Sequence, residues 1–169
     1  MMKFKSRKGF STIEILIAVA LVGILMAVGI PRLLDSRKTV SDSTAKQQLN
    51  TVMMAVNNFF AERDTYDGLS AAELQERLPE VDIVDAGEPT GKGDGGRALK
   101  VSVKVAATEV IMAASNGDQN CWAIKVNTSG TQYANKGGSD PVAAAACTAN
   151  AAAGFANWHS FEFPNIDEA

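Results

Sequence analysis

Between Ile15 and Ile30 the chain reads ILIAVALVGILMAVGI, sixteen residues without a charge. Counted back to Phe10 the run is twenty-one residues long and holds one charge, Glu14. As a helix rising about 1.5 Å per residue it reaches roughly 31 Å, the thickness of a bilayer's hydrocarbon core. It can cross a membrane. Lys3, Lys5, Arg7 and Lys8 precede it with no acid before Glu14, so the positive-inside tendency keeps the first residues cytoplasmic and sends the C-terminal part of the chain outside.

A secretory signal peptide fits poorly. Its cut would follow the apolar region, and although Ala27-Val28-Gly29 is a passable small-residue site, the run exceeds the usual length of about 7 to 15 residues. A plain membrane anchor leaves Glu14 unexplained, because a carboxylate at the start of an apolar helix is costly and generally has a partner.

The run Lys8-Gly9-Phe10-Ser11-Thr12-Ile13-Glu14 followed by an apolar helix resembles the class III signal of type IV pilins and pseudopilins. The resemblance implies cleavage between Gly9 and Phe10 by a membrane-embedded prepilin peptidase, and N-methylation of Phe10 by the matching methyltransferase activity. It also implies a helical homopolymer raised by a membrane platform protein and an assembly ATPase. The precursor would be a single-pass inner-membrane protein, and the product an extracellular pilus. Glycine suits a tight protease cleft, since it enters backbone conformations closed to other residues. Cleavage leaves an ammonium on Phe10 that is expensive inside an apolar filament unless a carboxylate meets it. The resemblance gives that task to Glu14 of a neighbouring subunit; the alternative is a carboxylate resting at a helix N-terminus against the macrodipole.

Gly23 and Pro31 are the fourteenth and twenty-second residues from Phe10, positions where type IV pilins commonly carry helix-weakening residues. Proline removes a donor and clashes with the preceding turn, so a kink between residues 23 and 31 is expected, or else the helix ends there. Apolar positions resume at helical spacing from Leu33 through Leu49, Val52, Val56 and Phe59, which predicts helix to about residue 62. A helix from Phe10 to that point is roughly 75 to 80 Å long, apolar in its first half and amphipathic in its second. The expected organisation is a leader over 1–9, a transmembrane or filament-core helix over 10–31, its amphipathic continuation over 32–62, and a head over 63–169. This α+β plan, a long helix against a small antiparallel sheet, has the lollipop shape associated with pilins.

Within the head, Ser70 and Glu73 have capping-box spacing, with Leu69 placed to pack on Leu74, and the short helix stops at Pro79. The stretch GEPTGKGDGG over Gly87–Gly96 is too rich in glycine for regular structure. It is not a phosphate-binding loop, because Gly87 and Gly91 stand one residue too close and Lys92 precedes Gly93. From Leu99 the period becomes two, with Val101, Val103 and Val105 alternating with Lys100, Ser102 and Lys104, which predicts a strand with one wet face. Glu109–Ala114, Cys121–Asn127 and Thr131–Ala134 read as further strands joined by turns at Asn116-Gly117 and Ser129-Gly130. The amphipathic helix should cover the sheet's apolar face. The tail from Lys136 shows little regular pattern.

Cys121 and Cys147 lie outside CxxC and Cys/His metal spacings, which leaves a disulfide as the natural pairing and two buried thiols as the alternative. A disulfide implies an oxidising, extracytoplasmic setting. In many type IV pilins such a bridge bounds a variable C-terminal region; here the match is in order only, both cysteines being further from the end. Losing the leader's four cations takes the net charge from −3 to −7, a poor basis for nonspecific nucleic-acid binding. His159 is the only histidine, with no nucleophile tied to it by spacing, and reads as a strand residue. Asp82, Asp85 and Asp94 lack calcium-loop spacing, although pseudopilins of secretion systems often bind calcium in this region. Met53, Met54, Phe59 and Phe60 read as core. No catalytic set or cofactor motif emerges, so the chain is expected to be no enzyme. The leading function is a structural pilus subunit; the alternatives are a pseudopilin of a type II secretion-like system, a minor tip pilin, and a non-polymerising membrane-anchored binding domain.

Overall fold

The computed structural model describes residues 11–92, 99–116, 120–137, 142–160 and 162–164, with backbone alone at 28–41 and 92. Gly9, Phe10 and the leader lie outside the described residues, as do Asp94 and Gly117. The chain divides into two compact units, Met1–Arg37 and Lys38–Ala169.

Helical backbone (α1) is assigned over Thr12–Arg63. In the first unit its start is secured by Ser11, whose carbonyl accepts from the Glu14 and Ile15 N–H groups at 3.0 and 3.2 Å. The Glu14 carboxylate reaches back to the Ser11 N–H at 3.4 Å, the carboxylate half of a capping box. Side chains from Ser11 to Ala27 are all exposed.

In the second unit, Ala45, Leu49, Val52, Val56 and Phe59 follow one another at three- and four-residue steps, and each is 0% exposed. That stripe is the helical side of the main core. The helix ends at Arg63 as Asp64 turns left-handed, φ 55°, and its N–H closes on the Phe60 carbonyl at 2.7 Å. After the turn comes α2, Ala71–Arg77, with the Ser70 hydroxyl accepting from the Glu73 N–H at 3.1 Å, as the capping spacing predicts.

The strands are β1 Asp82–Asp85, β2 Gly91–Lys92, β3 Leu99–Val105, β4 Glu109–Ser115, β5 Cys121–Asn127 and β6 Gly130–Lys136. They are ordered β1-β3-β4-β5-β6, with β2 pairing on β3. The β3 to β6 meander is antiparallel, but β1 runs parallel to β3, which corrects the expectation of a wholly antiparallel sheet. Thirteen residues separate Asp85 from Leu99, enough for the crossover that a parallel pair requires and a tight turn cannot provide. The short β2 also places regular structure inside a stretch expected to have none. Each outer strand is held at one point by a group outside the sheet. Gln75 accepts from the Ile83 N–H at 2.9 Å and donates to the Val81 carbonyl at 2.8 Å, while Tyr133 of β6 exchanges both backbone bonds with His159 at 2.7 and 2.8 Å.

A second correction concerns the face expected to be wet. Ser102 is 0% exposed, and Ile111, Ala113, Cys121 and Ala123 form a second core with Cys147, Ala149 and Ala152. The tail supplies this cover as a 3-10 turn, Ala144–Ala146, and a short helix α3, Ala149–Ala152, capped by the Thr148 hydroxyl. Alanine on both surfaces lets backbone approach closely where larger side chains would hold it off. Ser102 fits because its hydroxyl donates to the Asp85 carbonyl at 2.9 Å and accepts from the Ala149 N–H at 3.0 Å. Met54, expected in the core, is 60% exposed, since it lies opposite the Val52–Val56 stripe.

Candidate functional site

Ten large apolar side chains between Ile13 and Met26 are 48 to 72% exposed. Burying such a side chain is worth roughly 1.5 to 3 kcal/mol, so this surface carries a strong drive toward lipid or protein. Among the described residues no helix is long and apolar enough to cross a membrane; described side chains of this run end at Ala27, whereas the apolar sequence continues to Ile30. Glu14 sits in the first turn, exposed, and its bond to Ser11 is long enough to be weak. An added Cβ at Gly23 would meet nothing within 4 Å, so packing within the chain does not call for glycine there. Pro31 lies in helical backbone whose side chains are not described.

Between residues 42 and 61 of α1, before the exposed Glu62 and Arg63 of its last turn, the outward residues are Ser43, Gln47, Met54, Asn57, Asn58 and Ala61. None is charged. An ordinary surface helix places charges opposite its buried stripe, but the only charged residues from 42 to 61 are Asp42 and Lys46, and both turn to the head. One oxygen of Asp42 accepts from Asn116 Nδ2 at 2.7 Å, Trp122 Nε1 at 3.0 Å and Asn120 Nδ2 at 3.4 Å. The Lys46 ammonium lies 4.0 Å from the Trp122 ring centroid. At the other end of this segment, Arg77 bonds Glu62 at 3.2 Å and Glu73 at 3.1 Å. Those two carboxylates raise its pKa above the ordinary guanidinium value, although an exposed pair of this kind adds little stability.

Cys121 and Cys147 form a disulfide, with an S–S distance of 2.03 Å and Cα atoms 5.5 Å apart, and both are fully buried. It ties the start of β5 to the segment that enters α3. The Thr90 hydroxyl donates to the Cys147 carbonyl at 2.7 Å, fastening the same point to the β1–β3 connection. His159 takes part through its backbone pairing with Tyr133. Among the described residues no group of three His, Cys, Asp or Glu side chains could hold a metal. A cleft of about 310 Å3 lies between Asn135–Gly137 and Gly154–Asn157, where Asn157 already bonds the Asn135 carbonyl at 2.9 Å. Asp42 is the residue that reading the sequence missed. Its partners lie 74 to 80 positions away, and no local spacing announces them.

Parts of the chain are similar to components of type IV pili. A type IV major pilin protein of Myxococcus xanthus is 39% identical over 59 residues, which are 35% of this chain and 27% of that protein. A type IV wide pilus major component of Thermus thermophilus is 35% identical over 68 residues, 40% of this chain and 52% of that protein. The chain therefore spans about a quarter and about half of the lengths of these curated relatives. No protein-family model matches the chain, and no solved structure matches it. The likeness is a distant one to type IV pilins, over a minority of the chain.

Proposed function

We propose that this chain is a structural, non-catalytic subunit of a type IV pilus or a closely related filament. It is trimmed after Gly9, N-methylated at Phe10 and polymerised through its N-terminal helix. The observation that carries this reading is the exposed surface of α1: ten apolar side chains up to Met26, then an outward stripe without charge from Ser43 to Ala61. Such a surface can be covered by copies of itself without stranding a charge, which is the composition of an interface centre. The partial likeness to pilus components also supports it.

On this reading residues 10–31 anchor the precursor in the inner membrane and later form the filament core, residues 32–62 continue that helix along the head, and residues 63–169 form the surface of the fibre. A single rod with a kink between Gly23 and Pro31 belongs to the proposal. Glu14 neutralises the methylated amine of a neighbouring Phe10, a role that its long bond to Ser11 leaves open. A prepilin peptidase, a platform protein and an assembly ATPase are the partners this requires.

Intact mass measurement of the protein in sheared surface fibres tests the proposal. Loss of residues 1–9, one added methyl and two hydrogens missing at the cysteines are expected. A full-length product, or one beginning at Val28 or beyond, would overturn it.

A further inference from the structure

We propose that Asp42 is the latch by which the head grips α1, setting the point from which the helix peels away under load. Asp42 is half-buried and takes three side-chain donors on one carboxylate oxygen. The donors hold one another in place, since the Asn116 side-chain carbonyl also accepts from the Asn120 N–H at 3.4 Å. Hydrogen bonds to a charged acceptor are roughly twice as strong as neutral ones, and Trp122, at 1% exposure, supplies one of them from inside the core.

Helix formation gives no reason for this aspartate. Asp is a poor former in a helix interior, and position 42 is thirty residues past the helix start. Its place in the packing does give one. Ala45, one turn on, is the first fully buried residue of the stripe, so Asp42 is the outermost described contact of α1 with the head. Lys46 follows over the same indole, and Phe163 meets that ring edge-on at 5.5 Å. A pull on the chain N-terminal to Asp42 therefore reaches this polar cluster before it reaches Leu49 or Val52. The purpose rests on the filament reading, in which every subunit is loaded through its helix; the latch itself does not.

Hydrogen exchange on the full chain in detergent micelles tests it, comparing wild type with Asp42→Asn and Asp42→Ala. Amides of 43–52 should exchange about tenfold faster in Asp42→Ala, as expected for losing a charged hydrogen-bond cluster, and by a smaller factor in Asp42→Asn. Amides of 53–63 and of β4 and β5 should stay as in wild type. Unchanged exchange over 43–52, or faster exchange spread evenly through helix and sheet, overturns the latch. Should Asp42→Ala fail to fold, Asn120→Ala, which removes the longest of the three bonds, must show the same local pattern at lower amplitude. Absence of surface fibres would sink the filament reading and leave this exchange pattern intact, so the two can fail separately.

Discussion

Removing the disulfide should loosen one face of the sheet before the other. In a Cys121→Ala/Cys147→Ala double variant the cross-link closing 26 residues is lost, and loop entropy sets the cost at roughly 3.5 kcal/mol at 25 °C. With an unfolding entropy of about 2.1 cal/mol/K per residue over the roughly 130 residues of the second unit, that corresponds to a Tm lower by about 13 °C. The structure also says where the loss begins. The α3 segment is only four residues long and is held by few polar bonds, among them Ala149 N–H to the Ser102 hydroxyl, Asn150 N–H to the Ala86 carbonyl and Thr90 to Cys147. Proteolytic cutting within 142–160 should therefore appear in the variant at temperatures where the Leu49–Phe59 side of the head is still folded. Circular dichroism melts, run beside limited proteolysis with mass readout, measure both effects. A Tm within about 3 °C of wild type, or cutting that begins in α1, would refute the reasoning, since the cross-link would then add less constraint than its loop demands.

Paired variants on α1 should separate stability from assembly. Phe59→Ala should cost about 3 to 5 kcal/mol in urea unfolding, whereas Asn58→Lys, on the outward stripe, should stay within about 0.5 kcal/mol of wild type and yet abolish surface fibres. Normal fibre yield from Asn58→Lys would argue against that stripe as an interface. Glu14→Ala should still be trimmed but assemble poorly; wild-type yield in sheared fractions would remove its assigned role. Burial raises the Tyr66 pKa above its ordinary value of 10.0, so its neutral ring contributes stability present below pH 10 and lost as pH rises through the folded value. Urea midpoints should fall above pH 10, and Tyr66→Phe should flatten that fall; an unchanged slope would exclude Tyr66 as its source.

Repeating patterns were legible from the chain alone. The Leu49–Phe59 stripe, the strand through Val101–Val105, the turn chemistry at Ser129-Gly130 and the cap at Ser70 each depend on neighbours within a few residues, and each appears as expected. The misses at β1 and at Ser102 share one cause. Asp82–Asp85 is too short to show a period, and its parallel partner depends on where a thirteen-residue crossover lands. Ser102 reads as a solvent-facing position until α3 arrives from nearly fifty residues away to cover it.

What the order of residues determined is therefore local: which segments are helix or strand, which side of each is apolar, and the long uncharged run that must be sheltered somewhere. Tertiary structure decided the rest: that both sheet faces are covered, and that Asp42 finds Asn116, Asn120 and Trp122. The physical reason is range. Backbone preference and side-chain periodicity act over one or two turns, whereas a buried hydrogen bond or cross-link takes its value from groups that only the completed fold brings within 3 Å or so.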